Sequence, residues 1–235
     1  RFDAATLLVK DAIDSGKLGK IILADASVKW WRTQAYYDSG DWRGTWKYDG
    51  GGALMNQGVH TVDLLQWLVG GVSTVFAHTR TAGHERIEVE DVAVAALTFK
   101  NGAVGTLTAT TAAYDGQPVR IDIFGTEGSA ILEGDRLKQM TLKSGETYRS
   151  ESAAAHAISV AQGGTASVKD EAARPTAAAD PGAIWGDAHR AQLIDFIRAI
   201  QENTSPLIDA PAGRKPLEII FGVYESSRIG KMVTL

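Results

Sequence analysis

Asp91-Val-Ala-Val-Ala-Ala-Leu-Thr-Phe-Lys-Asn-Gly-Ala-Val-Gly-Thr-Leu-Thr-Ala-Thr-Thr-Ala112 is the stretch whose pattern decides the architecture. Its first half reads as a strand with Val92, Val94, Ala96 and Thr98 on one side and Ala93, Ala95, Leu97 and Phe99 on the other. Asn101-Gly102 is a hairpin signal, read here as a two-residue turn. Residues 103–112 then return, with Val104, Thr106, Thr108 and Thr110 on their second face. Neither face of either strand carries a charge. A sheet with one wet face alternates apolar with charged residues, so both faces are expected to be covered, one by helices and one by the sheet of a partner subunit.

Outward from this hairpin, further strands are expected at 73–81, 119–124, 129–133, 137–142 and 147–149, with a turn at 125–128. A β-rich stretch leads up to Trp31. Helices are expected at 1–15, where Phe2, Ala5, Leu8, Val9 and Ile13 form one stripe ahead of Gly16, and at 53–69, closed by Gly70-Gly71. Two more are expected at 187–202 and 212–229, and a last strand at 231–235. This order gives an α+β fold: a large, mostly antiparallel open sheet with helices packed on one face and the other face used for oligomerisation. Residues 1–235 read as a single domain. Residues 150–183, rich in Ala, Gly, Ser and Thr, read as a long mobile loop.

Composition narrows the function classes. The net charge is −4, without the clustered Lys and Arg of a nucleic-acid footprint. No apolar run approaches the roughly 20 residues of a membrane span. There are no cysteines, which removes thiolate metal sites and disulfides and is compatible with a reducing cytoplasm. The chain opens with Arg1 inside an amphipathic helix, as expected of a piece of something longer. No Gly-x-Gly-x-x-Gly loop follows a strand, so NAD is not expected to bind this chain by the usual route.

The densest chemical text is Gly50-Gly-Gly-Ala-Leu-Met-Asn-Gln-Gly-Val-His-Thr-Val-Asp63. On a helix Asn56 and His60 share a face, with Asp63 three residues further on. The glycines would let a ligand approach the backbone, and free N–H groups at a helix start suit an oxygen-rich ligand. A His there can take and return a hydroxyl proton. The structural alternative is a hydrogen-bonded helix His beside glycines that serve only a tight turn. His60 and Asp63 alone make no metal site, so none is expected. His78 and His84 read as surface or strand-edge residues, and His156 receives no role. His189 heads a helix as a second ligand contact or a structural residue. In residues 32–49, Tyr36, Tyr37, Trp42, Trp46 and Tyr48 can stack on a sugar ring, with Arg32 and Arg43 for carboxylate or phosphate. The same aromatic residues could equally anchor the loop to the core.

The run Gly50–Gly52, Asn56, Gly58, His60, Asp63 resembles the substrate-domain signature of the glucose–fructose oxidoreductase, inositol dehydrogenase and rhizopine-catabolism family (Gfo/Idh/MocA). The resemblance extends to Arg1-Phe2 with Ser15-Gly-Lys-Leu-Gly-Lys20, and to Val89-Glu-Asp91 and Asn101-Gly102. It continues through Ile121-Asp-Ile-Phe-Gly-Thr-Glu-Gly128 and Asp195-Phe-Ile-Arg-Ala-Ile200 with Pro206, and ends at Tyr224-Glu-Ser-Ser-Arg-Ile-Gly230 with Val233. It implies the C-terminal substrate domain of an oxidoreductase acting on a sugar, sugar-nucleotide or cyclitol hydroxyl. NAD or NADP would be held mainly by an N-terminal Rossmann domain, which also carries a catalytic Lys and lies outside this chain. It further implies homodimers or homotetramers formed through the sheet.

The family's Asp-x-x-x-His pair maps onto Asn56 and His60. Asn56 departs from it, leaving His60 as proton acceptor or donor and Asn56 as a hydrogen-bonding positioner. Arg32, Tyr36, Tyr37, Arg43 and His189 would frame a small sugar or polyol substrate. The text around Tyr36-Tyr37, residues 42–46 and Met55-Asn-Gln57 looks most like members acting on nucleotide-linked amino-sugar uronic acids. The alternatives are an NAD-dependent glycosidase of the same fold and a stand-alone sugar-binding or dimerisation module. The chain on its own is expected to be inactive.

Overall fold

Asp3 starts the first helix because its carboxylate accepts the N–H groups of Ala5 at 2.9 Å and Thr6 at 3.2 Å, two donors that the first turn leaves without partners. In a computed structural model describing residues 1–150 and 187–235, this helix is α1 (Ala4–Asp14). From residue 151 onward, the stretch expected as a mobile loop lies outside the described residues.

The chain continues through β1 (Ile21–Lys29), α2 (Gln34–Asp38), a π-helical turn (Ala53–Gln57) and α3 (Val59–Val69). The strands β2 (Val72–Arg80), β3 (Val92–Phe99), β4 (Val104–Thr110), β5 (Arg120–Gly125), β6 (Gly128–Glu133), β7 (Arg136–Leu142) and β8 (Thr147–Tyr148) follow. Last come α4 (Asp187–Glu202), α5 (Ala210–Ile229) and β9 (Val233–Thr234). No described helix is long and apolar enough to cross a membrane.

The strands form one nine-stranded sheet in the order β8-β7-β6-β5-β1-β4-β3-β2-β9. Among the described pairings only β1 and β4 run parallel, in register from Leu23 with Val104 to Lys29 with Thr110. This is the large, mostly antiparallel open sheet of an α+β fold expected from the sequence.

The helices α1, α3 and α5 lie against one face. There the inward residues Ala24, Ala26, Val28, Val75, Ala93, Leu97, Phe99, Leu107 and Ile123 meet Val9, Leu65, Leu68, Ile220 and Val223 in a single core. Gly105 allows the close approach of β1, because a Cβ there would strike the Ala24 carbonyl across the parallel pair and crowd the Phe99 ring. The outer edge of β2 is covered by α5. The hydroxyls of Ser226 and Ser227 accept the Ala77 and Thr79 N–H groups at 3.0 and 2.8 Å, which keeps that edge from pairing elsewhere. Among the described residues nothing covers the opposite face of the sheet, where Phe76, Val94 and Val104 stand exposed.

Two elements differ from the pattern reading. The expected continuous helix over 53–69 is instead a π-helical turn followed by α3. Gly58 donates its N–H to the Ala53 carbonyl, an i to i−5 bond of 2.9 Å, before α-helical bonding begins. The Asn101-Gly102 loop has three residues rather than two. Phe99 N–H bonds the Ala103 carbonyl at 2.8 Å and Gly102 N–H bonds the Phe99 carbonyl at 2.9 Å, which leaves Lys100, Asn101 and Gly102 between them. Gly102 takes the left-handed conformation at φ +88°, the arrangement of a type I turn closed by a glycine bulge.

Nothing lies within 4 Å of a Cβ built on Gly102, so substitution there strains only the backbone. Gly102→Ala is expected to cost about 1–2 kcal/mol in urea unfolding. A loss of only a few tenths would mean that the loop refits without the positive φ.

Candidate active site

The parallel strands β1 and β4 end, and the antiparallel β3 begins, at one edge of the sheet. The segments that carry the candidate residues are hung from this edge. Two adjacent carboxylates immediately before β3 organise it.

Glu90 is 4 % exposed. Its carboxylate accepts the N–H groups of Gly52 and Leu54, each at 2.9 Å, and the Tyr224 hydroxyl at 3.0 Å, while its carbonyl accepts the Ala53 N–H at 2.9 Å. A Cβ at Gly52 would run into that same carbonyl. Gly52 therefore serves the close approach of two protein segments, and the N–H groups of Gly52, Ala53 and Leu54 are spent on Glu90 rather than left free for a ligand. Burial pushes the Glu90 carboxyl above its usual range, against the lowering effect of its donors. Burial, with Glu90 beside it, pushes the Tyr224 hydroxyl up as well.

Asp91 is fully buried and folds back the next loop. It accepts the N–H groups of Ala82, Gly83 and His84 at 2.7, 2.7 and 2.8 Å, and meets His84 Nδ1 at 2.9 Å. His84 Nε2 lies 2.8 Å from the Arg32 carbonyl oxygen. His84 is thus a buried bracket between Asp91 and the aromatic segment, not the surface residue expected.

The aromatic segment is stacked rather than helical, apart from the short α2. The Arg43 guanidinium lies 4.3 Å from the ring centres of both Tyr36 and Trp42 and donates to the Tyr36 hydroxyl at 2.8 Å. Arg32 lies 5.0 Å from Trp30 and 5.5 Å from Tyr36, so two cations alternate with three rings. Arg32 is 4 % exposed and donates to the Trp31 carbonyl at 2.9 Å. Tyr37 is also buried, and its hydroxyl is held 2.8 Å from Thr111 Oγ1, with burial pushing its pKa up to about 12. Arg32 and Tyr37 therefore brace the segment in this structure, while Tyr36 and Arg43 remain partly exposed. Further along, Trp46 donates its backbone N–H to the Glu88 carboxylate and its indole N–H to the Glu88 carbonyl, both at 3.0 Å, and its ring meets Tyr224 edge-on at 5.3 Å.

His60 is exposed in the first turn of α3, and among the described residues its ring makes no hydrogen bond or ion pair. Asp63 is not its partner: Arg1 holds that carboxylate through two bonds of 2.8 and 2.6 Å. Asn56 is half-buried in the π-helical turn. It donates to Asp49 at 2.6 Å and accepts from Gln57 Nε2 at 2.9 Å. Neither Asp49 nor Glu90 was assigned a role from sequence. The only signal for Glu90 was the block Val89-Glu-Asp91, whose two acids precede an uncharged strand. His189 is exposed at the start of α4, in a groove it shares with Phe196, Pro206 and Ile208. Those residues belong to α4 and the turn after it, not to the glycine-rich segment.

Residues 6–131, more than half of the chain, match the model of the GFO/IDH/MocA C-terminal domain. The chain belongs to the GFO/IDH/MocA family. Over 99 % of its length it superposes on the WlbA dehydrogenase from Bordetella pertussis, solved in complex with NADH and UDP-GlcNAcA, at a TM-score of 0.80 and 32 % identity. Levoglucosan dehydrogenase from Pseudarthrobacter phenanthrenivorans is 26 % identical over 225 residues, 86 % of this chain. The NAD(+)-dependent scyllo-inositol 2-dehydrogenase of Bacillus subtilis is 27 % identical over 148 residues, 61 % of this chain. The chain spans 62 % of WlbA, and the alignments cover 56 % and 41 % of the other two proteins. These GFO/IDH/MocA relatives are dehydrogenases of sugar, sugar-nucleotide or cyclitol type, and residues 6–131 of this chain correspond to the C-terminal domain of that family.

The Glu90 clamp makes a prediction that needs no substrate. Its folded pKa lies above that of the unfolded chain, so stability is greatest where the carboxyl is protonated and falls as pH rises through the folded value. Glu90→Gln should flatten this part of the pH dependence of urea unfolding. It should also cost about 1–3 kcal/mol where both side chains are uncharged, because one backbone donor loses its acceptor. An unchanged slope would show that Glu90 does not titrate in the folded state over that range.

Proposed function

We propose that this chain is the substrate-side domain of an NAD-dependent dehydrogenase that oxidises a ring hydroxyl of a nucleotide-linked amino-sugar uronic acid. The observation that carries the reading is His60. An imidazole without a protein partner among the described residues stands on the outer side of a helix whose leading π-helical turn is pinned by Glu90. A histidine held in place yet open on one side is suited to take a hydroxyl proton from a bound sugar and return it to water. Asn56, fixed on the preceding turn, supports the substrate oxygen. Tyr36 and Arg43 offer a ring face and a cation to a substrate with acidic groups. The likeness to WlbA, together with the text of the aromatic segment, favours the nucleotide-linked class over free sugars and cyclitols.

The described residues do not fit the dinucleotide. None forms a glycine fingerprint opening a βαβ unit, and the one parallel pair, β1 with β4, encloses no such loop. NAD is accordingly assigned to a nucleotide-binding domain outside this chain. What this chain contributes is substrate grip and proton handling.

In the protein carrying that domain, UDP-GlcNAcA and NAD are expected to give NADH, read by absorbance. His60→Ala is expected to lower kcat/KM by about 10²-fold or more. No NADH from UDP-GlcNAcA would remove the substrate assignment, and a wild-type rate in the His60 variant would remove His60 from the reaction.

We propose further that two copies associate through the bare sheet face, where Phe76, Val94 and Val104 are exposed beside Ala96. Light scattering of the wild-type protein should then report a dimer or tetramer, and Val94→Asp should lower that mass without unfolding the chain. A monomeric wild type would overturn this association.

A further inference from the structure

Asp49 is committed at both of its carboxylate oxygens. Oδ2 accepts the Gly44 N–H at 2.9 Å, where Gly44 turns the chain at φ +69°, and Oδ1 accepts Asn56 Nδ2 at 2.6 Å. An ionised carboxylate only accepts, so the end of the Asn56 amide facing it must be the NH2 group. The other end agrees with this orientation, because Gln57 Nε2 then donates to Asn56 Oδ1 at 2.9 Å from a buried position. The amide of Asn56 thus has one orientation, its oxygen turned to a buried neighbour and its second N–H uncommitted among the described residues.

We infer that Asp49 is a positioning residue that fixes Asn56 as a hydrogen-bond donor toward the hydroxyl oxygen on the substrate carbon whose hydride passes to NAD. This rests on the reading of His60 as proton acceptor. As the hydroxyl proton leaves for His60, charge grows on the carbinol oxygen, and a donor held in advance stabilises it without reorganising. The role belongs to the polarity of the pair, not to its shape.

That separation makes the test. The double variant Asp49→Asn with Asn56→Asp keeps each bond of the network. At position 49 an amide oxygen takes the Gly44 N–H and an amide N–H is given to position 56. At position 56 a carboxylate takes the Gln57 N–H. Only the spare donor is lost. In the complete dehydrogenase with NAD and UDP-GlcNAcA, the swap is expected to melt like the wild type while kcat/KM falls about 10²-fold.

The cycle of Asp49→Ala and Asn56→Ala reads the same coupling in case the swap folds poorly. Asp49→Ala should lower kcat/KM when Asn56 is present and have no further effect in the Asn56→Ala background. Wild-type kcat/KM in a folded swap, or additive losses in the cycle, overturns the inference while a crippled His60→Ala leaves the reading of His60 intact. A fully active His60→Ala overturns both.

Discussion

Two carboxylates buried side by side at the start of β3 are the constraint on which the rest of the site depends. Ionised groups are costly to bury unless their lone pairs are met by donors. Glu90 meets two backbone N–H groups and a hydroxyl, and Asp91 meets three backbone N–H groups and the His84 ring. The two acids reach different segments from one place. Glu90 draws in the π-helical turn that precedes the His60 helix. Asp91 draws in the 82–84 loop and, through His84, the carbonyl of Arg32. Removing either acid would leave several buried N–H groups without acceptors at once, which ties the site to the sheet far more firmly than surface ion pairs could.

This explains which parts of the molecule were legible in sequence. The sheet was, because alternation along residues 92–99 and 104–110 is a local signal that survives whatever the rest of the chain does. The π-helical turn was not. Leu54, Met55, Val59 and Val62 fit an ordinary amphipathic helix, and only the pull of Glu90 and the Gly58 bond to Ala53 reveal the extra residue in the turn. The Asn-Gly pair announced a tight turn and a positive φ, and Gly102 has one. Loop length, however, is set by register, and the ladder here ends with Phe99 opposite Ala103. His84 was misread because its partner Asp91 is seven residues away across a fold-back that composition does not announce. His60 and Asn56 were found because the glycine-rich run is dense enough to stand out. Asp49 was passed over because an Asp in a loop usually serves its own turn.

The aromatic segment illustrates a second means of making irregular backbone rigid. Residues 30–46 contain a single five-residue helix, yet the two arginines are interleaved with Trp30, Tyr36 and Trp42 at 4.3–5.5 Å. Guanidinium planes stack on rings and still keep N–H groups for directed bonds. Arg43 uses one on the Tyr36 hydroxyl and Arg32 uses one on the Trp31 carbonyl. The far ends are tied separately, Tyr37 to Thr111 after β4 and Trp46 to Glu88. The same residue types that suggest sugar binding therefore divide by burial: Arg32 and Tyr37 are buried and build the wall, while Tyr36 and Arg43 are half-exposed and can face a ligand.

Rigidity and openness meet on α3. The π-helical turn that leads into it is held by Glu90, and one turn past His60 the Asp63 carboxylate is gripped by Arg1, whose guanidinium also lies 5.5 Å from the Trp67 ring. Its inner side buries Val62, Leu65, Leu68 and Val69 against the sheet. A helix restrained by the turn ahead of it, at its middle and along its buried face has little freedom to shift, which fixes the backbone that carries the exposed ring of His60. General acid–base chemistry needs this combination, because proton transfer requires the donor and acceptor at hydrogen-bond distance while the substrate must be free to enter and leave. The acids at the head of β3 supply the first condition. The absence of any competing protein partner for His60 among the described residues supplies the second.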